Sequence, residues 1–374
     1  MRMADALHIE AIKNALKERG LTQRQLAEAL EVSAQTVTNW LKGDDFPRPK
    51  ALLGLARSLR LGFDELVLAD AKAPVVAFRR KGGTKTTQAH IENARHIGHL
   101  LRPLVATLPG LGGERITFRL PSCDYETVER LAAGRRMALG MGADVPLEYT
   151  HLVKAFRQNG AVLVPVLWGE RHRHENALHI YLPEEDTTFV YLNLDTRVED
   201  FRFWMAHELA HIFTPTLSGT EAGEDFADAF AGALLFPGTV AEATYHACSG
   251  KSKSQILNVL QGKAADYGLS IFTVFKRTQA YGLKRAGNAL PVDERAIHQV
   301  RNGAKPLTVA KSMWSDGSPD PAVYIDAVRA QFDSSFFVAL SQMLRAGKGG
   351  VGYVQQVLDI SPTDADALHT ALSS

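Results

Sequence analysis

Two histidines and a glutamate near the middle of the chain have the spacing of a metal-dependent hydrolase. The segment 203–213 reads FWMAHELAHIF, in which His207, Glu208 and His211 form the pattern HExxH. Residues four apart share one face of a helix, so both imidazoles can reach one ion while the glutamate stands beside its open position. The pattern predicts a zinc site in which Glu208 is the general base for a metal-bound water.

A third ligand must come from elsewhere, because a catalytic zinc keeps three protein ligands and leaves the fourth position for water. We expect Glu224 to be that ligand, since it opens the next predicted helix on the face opposite an apolar stripe. Asp228 lies one turn further along the same face and is expected to accept a hydrogen bond from a ligating histidine. Glu221 is the competing third ligand, although it precedes the expected helix.

Other interpretations of the histidines stay open at this point. A solvated His/Glu face without a metal is the alternative to the zinc site, but a chance match is seldom followed by a polar-faced helix. His172 and His174 alternate as on a strand or its turn, which favours an exposed hairpin tip over a substrate or metal role. The remaining candidates are interpreted as surface or core residues: His151, His179 and His246.

The first 68 residues show a series of short helices with clear boundaries. Gly20 ends the first, Thr22 opens the second with a capping box, and Ser33 caps a third that Gly43 stops. Residues 8–67 resemble the Cro/repressor-type helix-turn-helix family, through Leu21-Thr-Gln-x-x-Leu-Ala and Val32-Ser-x-x-Thr-Val-x-x-Trp-x-x-Gly43.

The helix-turn-helix resemblance implies that the third helix enters the major groove of an operator in double-stranded DNA. Outward residues that we expect to read base edges are Gln35, Thr36 and Asn39. Residues that we expect to hold phosphates are Gln23 and Lys42. A homodimer is expected, because one such domain binds a half-site weakly. The alternative is a motif used for protein contacts, since acidic residues nearby leave its basic character modest.

From about residue 131 to residue 283 the chain resembles the ImmA/IrrE family of zinc metallopeptidases, which act on transcriptional repressors. The likeness runs through Leu131-Ala-Ala-Gly-Arg-Arg, the segment with HExxH, and Glu224-x-x-Ala-Asp-x-Phe-Ala ending in Leu234-Leu-Phe-Pro. It implies Zn²⁺ bound by His207, His211 and Glu224, with Glu208 as base. The family commonly has Asn where Asp228 stands, which makes the role of this carboxylate less certain.

The composition and the predicted domain boundaries limit the possible architecture. The 374 residues carry a net charge of +1, two cysteines, and no apolar run near the roughly 20 residues that span a bilayer. With no signal-peptide core at the N-terminus, we expect a cytoplasmic protein outside the membrane. The expected domains are a helix-turn-helix domain (6–70), a linker and the start of a second domain (71–115), the peptidase domain (116–287) and a C-terminal helical domain (288–374).

The expected fold class is α+β and mostly α. A five-helix N-terminal domain precedes a zincin-like domain with a small antiparallel sheet and the HExxH helix, and a C-terminal helical region follows. The expected function is a DNA-binding regulatory zinc protease that cleaves a repressor, in trans or in itself, in a stress or mobile-element response. The alternative is a transcription factor or antitoxin whose peptidase-like domain senses a ligand or partner without cutting.

Overall fold

Helices make up most of the structure, as the sequence predicts, and the described residues also form a two-stranded and a four-stranded sheet. A computed structural model describes residues 6–68, 73–80, 88–110, 115–119, 121–168, 175–217, 219–303, 307–315 and 319–374. The chain divides into two compact units, Met1–Ala73 and Pro74–Ser374. Within the described ranges, no helix is both long and apolar enough to cross a bilayer.

The first unit is the expected bundle of five helices. They are α1 (Ile9–Glu18), α2 (Gln23–Ala29), α3 (Ala34–Lys42), α4 (Pro49–Leu59) and α5 (Phe63–Leu66), with a short antiparallel pair of strands, β1 (Ala6–Leu7) and β2 (Val67–Leu68). The predicted caps are confirmed: Thr22 forms the capping box with Gln25, and the Ser33 side chain accepts from the Thr36 amide. Gly43 ends α3 in the left-handed region, at φ 78°, which an L side chain adopts only with strain.

The sheet of the second unit is mixed, which corrects the predicted antiparallel sheet. Its strands are β3 (Val75–Arg80), β4 (Ala161–Val166), β5 (Glu175–Leu182) and β6 (Thr187–Asn193), in the order β3-β5-β6-β4. β4 and β6 pair in parallel, and the other two pairs are antiparallel. Every residue of β4 and of β6 is buried. Continuous burial is typical of parallel strands that are covered on both faces.

In the described residues between 88 and 281, the second unit contains eight α-helices, one of which carries HExxH. They are α6 (Gln88–Val105), α7 (Tyr125–Ala138), α8 (Tyr149–Gln158), α9 (Val198–Phe213), α10 (Glu221–Leu235), α11 (Gly238–Cys248), α12 (Lys253–Tyr267) and α13 (Ile271–Tyr281). β3 and α6 lie in the stretch predicted as linker and start of the second domain. Their apolar pattern is hard to see, because β3 ends in a basic cluster and α6 contains Pro103.

Six more helices follow residue 287 and belong to the same unit. They are α14 (Glu294–Gly303), α15 (Val309–Met313), α16 (Pro321–Phe332), α17 (Phe336–Arg345), α18 (Val351–Leu358) and α19 (Pro362–Ser373). Their buried polar groups bond to the sheet: the Tyr324 hydroxyl donates to the carbonyl of Pro165 in β4 at 2.5 Å. The Tyr191 hydroxyl of β6 donates to the carbonyl of Val357 at 2.6 Å. The C-terminal helices therefore share the core of the second unit with the four-stranded sheet.

Phe337→Ala tests that shared core. Phe337 is 2% exposed and lies edge-on to Tyr324, so its loss should destabilise the second unit, β6 included, by about 3–5 kcal/mol. The measurement is the denaturant dependence of amide hydrogen exchange in β6. Val323→Ala, at a position 52% exposed, is the control and should change little. Equal exchange of β6 in both variants would mean that the C-terminal helices are energetically separate.

Candidate functional site

The helix α9 carries the HExxH motif into the interior of the second unit. Glu199 and Asp200 in its first turn suit the positive end of the helix dipole. Every residue from Met205 to Phe213 is buried, because the helix packs against both α10 and β5. His207 and His211 lie one turn apart and are 0% and 1% exposed, so their rings are held by surrounding atoms.

The helix α10 brings the acidic residues to this pair. It begins at Glu221, earlier than predicted, because Thr220 caps it by accepting from the Gly223 amide at 3.1 Å. Glu224 therefore sits in the first turn and does not open the helix. Glu221 is exposed and lies outside the cluster formed by Glu224 and the two histidines.

Three donor atoms converge where α9 and α10 meet. Nε2 of His207 lies 3.1 Å from Nε2 of His211. The two carboxylate oxygens of Glu224 reach these atoms separately, Oε2 at 3.3 Å from His207 and Oε1 at 3.3 Å from His211. The two imidazole nitrogens and the carboxylate of Glu224 therefore lie together, and we call this group of three side chains the triangle.

The separations of 3.1 Å and 3.3 Å within the triangle are close to those between two ligand atoms of a tetrahedral zinc site. Ligand atoms about 2.0–2.1 Å from zinc in a tetrahedron are separated by roughly 3.3 Å. Two histidines and one glutamate are also a ligand set of catalytic zinc sites, which leave the fourth position for water. Both the dimensions and the donor chemistry of His207, His211 and Glu224 therefore fit a zinc ion.

Asp228 is placed behind one of the histidines. Its Oδ1 lies 2.9 Å from Nδ1 of His207, one helical turn beyond Glu224. An imidazole that donates from Nδ1 keeps the lone pair of Nε2 for a metal, so this contact selects the useful tautomer.

The protonation equilibria of the cluster reflect these contacts before any cation enters. Burial alone would lower the pKa of His207, but hydrogen bonds with Asp228 and Glu224 outweigh it and raise the pKa. Burial alone would raise the pKa of Glu224, yet hydrogen bonds with His207 and His211 hold it well below its ordinary value. The carboxylate is therefore ionised across the physiological range, as a metal ligand must be.

Family models match the two parts of the chain that carry these features. Residues 12–66 match the helix-turn-helix model, and residues 168–277 match the IrrE N-terminal-like domain of a peptidase family. The chain joins a helix-turn-helix domain to an IrrE-type domain. No curated protein and no solved structure matches it. All five peptidase-site residues predicted from the sequence lie inside the second match.

Glu208 lies beside this triangle in the IrrE-type domain. His179, for which the sequence predicted no functional role, lies next to Glu208. Glu208 is 1% exposed, and its Oε2 lies 3.7 Å from Nδ1 of His179 in β5. The ring of His179 also stands edge-on to that of His211, with centroids 5.8 Å apart. Burial lowers the pKa of His179 well below its ordinary value, and the electrostatic effect of the neighbouring His211 and Arg115 acts in the same direction.

The signal that could have found His179 is a break in the strand pattern. On β5 the residues Leu178, Ile180 and Leu182 face one side, and His179 stands on the other between Ala177 and Tyr181. His179 was predicted to be a surface or core residue, and it is buried, on the side of the sheet that faces α9. His172 and His174 lie outside the described residues.

The predicted DNA contacts of the helix-turn-helix domain are all exposed or half-buried. Val37 and Trp40 are buried, as the pattern predicts, and α3 turns its other face outward. On that face Gln35 is exposed and Asn39 half-buried, and the Gln35 amide donates to Oδ1 of Asn39 at 2.8 Å. The remaining predicted contacts are exposed or half-buried: Gln23, Thr36 and Lys42.

Proposed function

We propose that this DNA-binding regulator uses a zinc ion in its IrrE-type domain to hydrolyse a peptide bond of a transcriptional repressor. The observation that carries the proposal is the triangle of His207, His211 and Glu224, with separations of 3.1–3.3 Å, beside Glu208. The family matches support the coarser statement that a peptidase-like domain is joined to a DNA-binding one.

Each residue of the site has a separate role in this proposal. A zinc ion held by the triangle would act as a Lewis acid. It would polarise the scissile carbonyl and lower the pKa of a bound water to about 7. Glu208 accepts the proton of the attacking water and passes it to the leaving amine. Its burial excludes bulk water, which strengthens these electrostatic interactions. Asp228 orients His207 and keeps its Nε2 free for the metal.

The helix-turn-helix domain directs the enzyme to an operator. Gln35, Thr36 and Asn39 face the major groove, where amide side chains pair with adenine edges. The bond between Gln35 and Asn39 holds both amides in place before DNA arrives. Gln23 and Lys42 contact the phosphates, and a homodimer supplies the second half-site. These five side chains are mainly polar and weakly basic, which is consistent with recognition that depends on base contacts.

A second function is favoured by the burial of the site. His207, Glu208 and His211 are each at most 1% exposed, so a peptide reaches them only if the surrounding elements open. A sensor that binds a metal or partner without cutting would keep the site closed in this way. The protease and sensor proposals differ in whether opening leads to hydrolysis.

Glu208→Gln separates the two proposals. The amide is isosteric but cannot accept the proton, so the variant should keep about one zinc per chain and lose cleavage at least about 100-fold. The measurements are zinc content by mass spectrometry and cleavage of candidate transcriptional repressors, co-expressed with the full chain under stress or metal challenge. Cleavage by wild type alone supports the protease. Zinc in both chains with cleavage in neither supports the sensor.

Asp228→Ala tests the contact behind the triangle. Loss of the acceptor for His207 Nδ1 should weaken zinc affinity about 10–100-fold, while Asp228→Asn, which keeps an acceptor oxygen, should lose less. Competition with a chelator of known affinity measures both values. Asp225→Ala, an exposed carboxylate in the same turn, is the matched control. The role of Asp228 is refuted if the Asp225 and Asp228 variants release zinc alike.

Asn39→Ala and Lys42→Ala distinguish base reading from phosphate contact. Selection from a random duplex pool first supplies a preferred sequence for the wild type. Asn39→Ala should then lose about 1–3 kcal/mol on that duplex and little on random DNA. Lys42→Ala should weaken binding to every duplex and reduce the slope of log K against log salt by about one. Absence of enrichment with the wild type would favour a motif for protein contacts.

A further inference from the structure

A buried histidine in the IrrE-type domain has no role in the function proposed above. His179 is 2% exposed and stands in the sheet opposite Ala77 of β3 and Val190 of β6. Residues that face each other across strands lie on the same side of a sheet, so apolar side chains flank the imidazole. Its Nδ1 makes no hydrogen bond to any residue that the structure describes.

An imidazole is a costly choice for this position. Burying a polar ring among apolar side chains lowers stability unless a partner compensates, whereas a leucine would pack there without that cost. Two polar groups of α9 lie next to His179: Oε2 of Glu208 is 3.7 Å from Nδ1, and the His211 ring lies edge-on. The ring is directed at the one carboxylate of α9 that the mechanism uses as base.

His179 stands beside the metal triangle and is not part of it. The three donor atoms that lie within 4.8 Å of one another come from His207, His211 and Glu224. The contact of His179 is with Glu208, the residue that follows a ligand in the chain. A role through Glu208 is therefore the one that the geometry offers.

We propose that His179 is a positioning residue, whose Nδ1–H holds one oxygen of Glu208 so that the other faces the metal-bound water. The proposal rests on the function proposed above, since it takes Glu208 to be the base. A separation of 3.7 Å exceeds a hydrogen bond, and such contacts commonly tighten when the reacting groups fill the site. Without the contact, the carboxylate gains rotamers in which it no longer faces the water.

His179→Leu and His179→Asn form a matched pair for the test. Leucine and asparagine have nearly the same size and shape, and only the asparagine amide places an N–H where Nδ1 stands. The full-length chain loaded with zinc is titrated with acetohydroxamate, a zinc chelator whose bound form hydrogen-bonds to a carboxylate beside the ion. Glu208→Gln is the reference for loss of that carboxylate. His246→Leu, an exposed position against Tyr281, controls for removal of a histidine.

The expected result separates positioning from packing. His179→Leu should keep its zinc, unfold at the wild-type temperature or above it, and bind acetohydroxamate at least about tenfold more weakly. His179→Asn should recover affinity to within about threefold of wild type. A merely structural histidine predicts the reverse, a lower unfolding temperature with unchanged affinity.

Three outcomes overturn the inference, and they differ in what they imply for the proposed function. If His179→Leu binds acetohydroxamate as wild type does while Glu208→Gln is weakened, His179 has no positioning role and the proposed function stands. If Glu208→Gln also binds as wild type does, Glu208 does not face the ligand, and both the base and its positioning residue are refuted. If the wild type binds no zinc, the proposed function fails and the inference fails with it.

Discussion

The close approach of α9 and α10 is the constraint on which the candidate metal site depends. Ala227 and Ala231 follow Glu224 by three and seven residues, so they share its face of α10, and both are 0% exposed. Their small side chains let the backbone of α10 come near enough for one carboxylate to reach both imidazoles at 3.3 Å. A longer side chain at either position would separate the helices by more than the few tenths of an ångström that zinc coordination tolerates.

The four-stranded sheet connects the C-terminal helices to α9 and α10. His179 faces α9 from β5, while Ile180 on the opposite side lies against α6 near Gly98. The Tyr191 hydroxyl, on that same opposite side of β6, bonds to the last turn of α18. The strands are therefore held between the catalytic helix and a layer built partly from residues beyond 287. Stable packing of those distant helices is a condition for Glu208 and His179 to meet.

Local sequence information predicted the elements and much of the site, because helix periodicity and capping act over a few residues. The predictions of a helix through HExxH, of the capping residues Thr22 and Ser33, and of Asp228 one turn from Glu224 needed no knowledge of distant contacts. The chemical roles of these site residues stay predictions. The strand directions could not be read, because a period of two is the same in parallel and antiparallel pairs.

The features that the sequence analysis did not predict share one physical cause, which is pairing between residues far apart in sequence. β3 pairs with β5 about 100 residues later, with Ala77 opposite His179, and nothing local to either strand specifies that partner. The sheet positions His179, and a helix positions its neighbour Glu208. A histidine in a strand of mostly apolar residues shows no motif, so its meaning appears only when the two elements are packed together.

Burial of the cluster has a further consequence for how the protein works. His207, Glu208, His211 and His179 are each at most 2% exposed, and such a concentration of polar groups costs stability unless a cation or hydrogen bonds compensate. In Glu224 and Asp228 the exposed side-chain fractions are 26% and 39%, so solvent reaches the site along α10. The proposed hydrolysis would therefore require a substrate segment to approach from this side, past the start of α10.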